Sequence, residues 1–213
     1  SLSSSVGVFG NLNIIFLNRY FVDGSYRVSG SSKFGKDRRF APFWSVGIGW
    51  NAHNESFLSD LGWFDIFRIR GSVGYTGSVN FSDYQAITTY LYKQDNNYLI
   101  SMGALPITMG NDRLKWQTTV KYNVGATLEM WEGRLSANFD IYKEDTKDLL
   151  LSISTPPSMG VTNVMDNLGE TGNWGYEWSL SGLLIKSNQL YWRMGLSGHH
   201  TENKLKKISN SMK

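Results

Sequence analysis

Residues 117–145 carry the longest alternating pattern in the chain, QTTVKYNVGATLEMWEGRLSANFDIYKED. Apolar side chains occupy every second position up to Met130, and the alternation resumes at Leu135 after a turn at Glu132 and Gly133. This period of two predicts two long antiparallel strands, each with one apolar and one polar side. Whether protein or lipid covers the apolar side decides what the chain can fold into.

The same alternation recurs along the chain, and no helical periodicity competes with it. The segments together predict about eight strands of an all-β antiparallel fold. No run of about 18 apolar residues is present, which excludes helical membrane spans, whereas a spanning strand needs only about 9–11 residues. The segments are Val6–Leu12, Tyr20–Val28, Trp44–Trp50, Phe67–Tyr75, Val120–Met130, Leu135–Ile141, Tyr176–Leu184 and Leu190–Leu196.

The connections between these segments alternate in length. In an antiparallel meander, successive connections lie at opposite ends of the sheet, so one end is predicted to carry nearly all the long loops. Short turns at one end and long loops at the other are typical of outer-membrane barrels. Short turns are predicted at 16–18, 131–133 and 187–189, and long loops at 30–42, 77–116 and 146–173. The connection at 52–65 lies at the turn end but is predicted to be longer than a turn should be.

Two features favour lipid over a protein core. The strands are predicted to run for about ten residues, longer than the five or six that are usual in soluble sheets. Tryptophans also cluster near strand ends, as in the aromatic girdles of membrane barrels. They are Trp44, Trp116 and Trp174 toward the long loops and Trp50, Trp63 and Trp131 toward the turns. The alternative is a soluble β-sandwich that binds carbohydrate and folds without detergent.

Charged residues lie on the side of the strands opposite the apolar residues. On the lipid side each would cost roughly 2–4 kcal/mol near the midplane, so they are predicted to face a water-filled lumen or a polar plug. The predicted lumen-facing residues are Arg27, Arg68, Arg70, Lys121, Glu129, Asp140 and Arg193.

Composition argues against several other functions. The chain has no cysteine, and its net charge of +3 is small and dispersed, so neither a thiolate site nor nucleic-acid binding is supported. The three histidines lack metal-ligand spacing, and no group of side chains suggests catalysis. We therefore predict no metal, no cofactor and no enzymatic activity.

Six motifs follow one another along the chain and cover nearly all of it. They are YRVSGSSKFGKDRRFAPFWSVGIGWNAHNESFL (26–58), FRIRGSVGYTGSVN (67–80), NDRLKWQTT (111–119), GRLSANFDIYKEDTKDLLL (133–151), NLGETGNWGYEWSL (167–180) and NKLKKISNSMK (203–213). In this order they resemble the SusC-like TonB-dependent transporters of the Bacteroidetes outer membrane, with departures at Ser29, Trp44 and Gln117.

The resemblance implies a transmembrane barrel of 22 strands, filled by a plug and capped by a SusD-like surface lipoprotein. Residues 1–213 would form part of that barrel, without the plug and the final strands. It implies TonB-dependent import of an oligomer, oligosaccharide first and oligopeptide second. Its partners would be the lipoprotein, TonB acting through the absent plug, the rest of the barrel and outer-membrane lipid. A small adhesion or structural barrel, in which the first and last strands pair, is the other alternative.

The longest predicted loop carries the candidate cargo-binding residues. Tyrosine rings can stack on sugars, and neighbouring acid and amide side chains can bond hydroxyl groups. The same rings could instead pack the loop against its neighbours. The candidates are Tyr84, Tyr90, Tyr92, Asp95 and Asn96.

Overall fold

The computed structural model describes residues 4–34, 39–79, 87–98, 101–187 and 189–208. Eight strands form one antiparallel sheet, in the order β1-β2-β3-β4-β7-β8-β9-β10, and β5 and β6 form a separate hairpin. The prediction of an all-β antiparallel fold with about eight long strands is therefore confirmed. The strands are β1 Ser5–Phe16, β2 Tyr20–Ser31, β3 Phe40–Asn51, β4 Phe64–Ser78, β5 Thr89–Tyr98, β6 Ser101–Thr108, β7 Gln117–Met130, β8 Leu135–Ser154, β9 Asn163–Lys186 and β10 Tyr191–Ile208.

The sheet is an open meander. Every strand pairs with the next strand of the sheet, and within the described residues β1 and β10 do not pair with each other. A small closed barrel requires that pairing, so this alternative does not describe the fold. The connections before β2, β4, β8 and β10 lie at one end, which we call the turn end, and those before β3, β7 and β9 lie at the other, the loop end.

The apolar side of the sheet has no protein layer over it. Val124, Phe139 and Leu180 expose 59%, 43% and 43% of their surface. The buried apolar residues among those described are Phe34, Phe43, Ala52, Leu114 and Val161, and none comes from this side. An exposed apolar surface spanning eight strands far exceeds what a soluble protein leaves in water. The sandwich alternative is therefore wrong, and hydrocarbon is the medium that suits this side.

The predicted long loop at 146–173 is wrong. Strand β8 continues to Ser154 and β9 begins at Asn163, so only eight residues, 155–162, connect them. A bulge between Thr146 and Leu149, with Asp148 at a φ of 57°, shifts the register and breaks the alternation. The pairing of β8 with β9 continues past the region of alternating apolar residues, and Ser154 still pairs with Asn163.

Two further connections, the one at 77–116 and the one between β3 and β4, also contain secondary structure. The predicted loop at 77–116 includes the hairpin of β5 and β6. The connection from β3 to β4 contains a 3₁₀ turn at Ala52–Asn54 and one helical turn, α1, at Ser56–Ser59. Within the described ranges, no helix is long and apolar enough to cross a membrane.

Glu55 fastens the β3–β4 connection to the start of β2. Its carboxylate accepts hydrogen bonds from the Tyr20 hydroxyl (2.9 Å) and the Trp50 indole (3.2 Å), and pairs with Arg19 at 3.1 Å. The Tyr20 bond, then the Trp50 bond and the Arg19 charge, hold the pKa of Glu55 below its usual value. The carboxylate therefore stays ionised at neutral pH and joins two connections at the turn end.

The tryptophans at the strand ends do not all serve one role. Trp44 and Trp174, toward the loop end, are exposed on the apolar side, and Trp63 and Trp131 are exposed at the turn end. Trp116 departs from the predicted girdle. Its ring stacks on Phe34 at 4.9 Å and meets the edge of Phe43 at 5.4 Å, because the chain enters β7 from a packed connection rather than from lipid.

Candidate functional site

The strand register defines one polar side of the sheet, which we call the polar face. Directly opposed residues of an antiparallel pair lie on the same side. The chain of partners runs from Arg70 to Gly125, Asp140 and Glu177. The same register places Arg27, Arg68, Arg70, Lys121, Glu129, Asp140 and Arg193 together on the polar face. That this face lines a water-filled lumen stays a prediction.

An ion pair crosses one whole strand of the polar face. Arg70 on β4 donates to both carboxylate oxygens of Asp140 on β8 at 2.7 Å, and to the Thr127 hydroxyl at 3.0 Å. The pair spans β7 at Gly125, where a Cβ atom would lie 2.2 Å from the Asp140 carboxylate and 2.9 Å from the guanidinium. A side chain at this position would therefore displace the ends of the two charged groups that meet over it.

Polar groups extend beyond this pair toward β10. Glu177 lies directly opposite Asp140, and His199 lies directly opposite Glu177. A cleft of about 330 Å³ lies along these strands, lined by Asn138, Asp140, Glu177, Trp178, Ser179, Ser197, Gly198 and His199. The face thus offers acidic groups and hydroxyls to a polar occupant.

Replacing Asp140 with Asn is expected to destabilise the protein by about 1–2 kcal/mol. The change leaves the Arg70 guanidinium without its counter-charge, and the effect stays modest because that side chain is 39% exposed. Urea titration in detergent micelles measures it. Glu129→Gln is the matched control, since Glu129 shares the polar face but has no ion pair in the described part of the chain. Equal effects of the two substitutions would contradict a stabilising role for the pair.

A packed cluster, which we call the rim cluster, stands at the loop end. Leu114 has no exposed surface and Phe34 is 2% exposed. Partly buried side chains from the surrounding strands and connections complete it: Val79, Trp116, Leu150 and Met165. The cluster packs the connection before β7 against β8 and β9 at the loop end.

Asparagines fasten the same connection through its backbone. The Asn167 side chain accepts from the Lys115 N–H and donates to the Lys115 carbonyl, each at 3.0 Å, and donates to the Asp148 carbonyl at 2.7 Å. Asn111 donates to the Met165 carbonyl at 3.0 Å. Sequence reasoning assigned neither asparagine a role, although both begin motifs that carry the family resemblance.

The structure brings only part of the predicted cargo-binding set together. Tyr90 and Tyr92 lie on one side of β5 and expose 57% and 69% of their surface. Asp95 and Asn96 lie further along β5. Tyr84 lies outside the described residues. Their contact with a cargo stays a prediction.

The sheet has one polar face and one exposed apolar side. It has short connections at one end and a packed rim at the other. These features define a segment of outer-membrane barrel wall. The family model described as TonB dependent receptor-like, beta-barrel matches residues 2–207. The chain belongs to this family and is an outer-membrane protein.

Individual relatives agree with this membership. The TonB-dependent receptor SusC of Bacteroides thetaiotaomicron is 31% identical over 211 residues, which cover 96% of this chain and 21% of SusC. The TonB-dependent receptor P3 of Formosa agariphila is 31% identical over 95% of this chain and 20% of that protein. The RagAB peptide transporter superposes with a TM-score of 0.90 at 26% identity, over 99% of this chain and 23% of that one. The chain thus spans about a fifth of the length of the curated relatives it matches.

Proposed function

We propose that this chain forms part of the wall of a TonB-dependent importer that carries a nutrient oligomer across the outer membrane. The observation that carries the proposal is the separation of the two sides of the sheet. The polar face holds the Arg70–Asp140 pair and the row that continues to Glu177 and His199, whereas the opposite side exposes apolar residues. A wall of this kind separates a polar path from lipid.

The energy for import would come from TonB, acting through a plug domain within the barrel. A SusD-like surface lipoprotein would cap the loop end. The rim cluster supports that partnership, because Leu114 and Phe34 pack the connections of the loop end together. A packed rim would provide a surface against which a second protein can close.

Oligosaccharide is the first proposed cargo. Tyr90 and Tyr92 present exposed rings on which sugars can stack, and Tyr84, Asp95 and Asn96 complete the proposed contact set. An oligopeptide is the second candidate, favoured by the superposition on the RagAB peptide transporter.

Deletion of the gene in its own host tests the proposal. We expect the deletion strain to lose growth on one class of oligomer while retaining growth on the matching monomer, because only the oligomer needs active uptake. Glycan and peptide panels distinguish the two cargo candidates. Restoring the gene should restore growth, whereas a variant lacking the TonB-contacting segment of the full gene product should not. Unchanged growth on every oligomer would contradict the proposed function.

A further inference from the structure

A concavity opens on the polar face near the loop end, beside the rim cluster. Its volume is about 640 Å³, within the range of about 300–1,000 Å³ that is typical of small-molecule sites. Strands β1 to β4 line it, together with Trp116, which lies directly before β7.

Among the described residues that line the concavity, Arg27 carries the one charge. Its guanidinium lies over Gly7, where a Cβ atom would come within 3.2 Å of two guanidinium nitrogens. Arg70 on the same face is paired with Asp140, but Arg27 has no ion pair or side-chain hydrogen bond in the described part of the chain. An exposed guanidinium without a counter-charge can bind a carboxylate through two parallel hydrogen bonds.

Rings and hydroxyls surround that charge. Phe9 is 70% exposed, whereas Phe43 is held in place by its edge contact with Trp116. The Trp116 indole N–H is buried and has no hydrogen-bond partner among the described residues. Three hydroxyl side chains complete the lining: Ser5, Ser29 and Thr76. Ring faces suit the C–H surface of a sugar, and hydroxyls suit its polar edges.

We propose that the Arg27 concavity is a subsite for an acidic sugar residue, a uronate, of the imported oligosaccharide. Arg27 binds the carboxylate, Phe9 covers the apolar side of the ring, and the serine and threonine hydroxyls bond the sugar hydroxyls. This inference rests on the proposed function and narrows its substrate class. The size of the concavity suits a short end of the oligomer rather than a long stretch of it.

Uptake of labelled oligosaccharides by cells carrying the complete protein tests the subsite. A uronate-containing oligosaccharide is compared with a neutral one of the same length in wild type and in Arg27→Gln. We expect Arg27→Gln to raise the half-saturating concentration of the acidic oligosaccharide about 10-fold or more and to leave the neutral one unchanged. Arg27→Lys should lie between the two, because it keeps the charge but loses the planar fork.

Arg193→Gln is the matched control. Arg193 also lies on the polar face, but near the turn end, where it donates to the Gly133 carbonyl at 3.3 Å. Equal uptake of the acidic oligosaccharide by wild type and Arg27→Gln would overturn the subsite, and so would a loss of neutral uptake to the same degree. Competition by peptides as strong as that by the uronate would also overturn it. Wild-type cells that import neither oligosaccharide would instead contradict oligosaccharide as the cargo of the proposed function.

Discussion

Replacing Val124 with Arg is expected to cost about 2–4 kcal/mol of folding free energy in a membrane environment. Val124 lies in the middle of β7 on the apolar side, 59% exposed, opposite Ile141 on the next strand. The guanidinium would be placed in hydrocarbon with no partner within reach. Urea titration in lipid vesicles measures the cost, and the loss of the heat-modifiable band on a gel reports failed assembly.

The neighbouring position provides the control. Asn123 precedes Val124 on the same strand but lies on the polar face, opposite Ser72 and Tyr142. Asn123→Arg is expected to change the folding free energy by only about 0.5 kcal/mol, because a charge facing water has little desolvation cost. If the two arginine variants were equally stable, lipid would not be the medium on the apolar side.

Replacing Leu114 with Ala is expected to cost about 2–5 kcal/mol, the range for a large buried side chain cut back to a methyl group. Leu114 has no exposed surface, and its neighbours Phe34 and Trp116 are themselves stacked at 4.9 Å, so they cannot easily fill the gap. The loss should be confined to the loop end. Limited proteolysis of the protein in vesicles should therefore cut the connection before β7 faster than in wild type.

Leu105→Ala serves as the comparison. Leu105 lies on β6 and is 48% exposed, so the same deletion of atoms leaves no cavity. Leu105→Ala should leave the rate of proteolysis in the connection before β7 nearly unchanged. The membrane-embedded strands of both variants should remain protected. Equal cleavage rates for the two leucine variants would show that the rim cluster does not hold the loop end.

The parts of the fold that could be predicted from sequence are those where lipid and water impose opposite demands on alternate residues. Around Val124 and Arg70 the period of two fixes both the strand and its sides, and the structure agrees. Beyond Thr146 the bulge at Asp148 interrupts the alternation, although the ladder continues to Ser154. A backbone ladder needs no particular side chains, and this is why the extension of β8 and β9 was missed.

The site could be predicted in part for a related reason. Alternation places Arg70 and Asp140 on one face, but their contact depends on Gly125 between them, a relation that appears only once the register is known. The rim cluster depends on residues far apart in the chain, since Leu114 packs with Phe34. No local sequence pattern predicts a contact between residues so far apart in the chain. The one sequence feature that points to Asn167 is its place at the start of a motif that resembles the family's.

The length of β8 and β9 affects how the bilayer boundary would be located by experiment. These strands have 20 and 24 residues, about twice the 9–11 or so that a membrane crossing needs. Their amide protons are bonded between strands both inside and above the hydrocarbon. Slow exchange with deuterated solvent would therefore continue well past the lipid headgroups, and only labels that sense hydrocarbon at individual side chains would mark where the membrane ends.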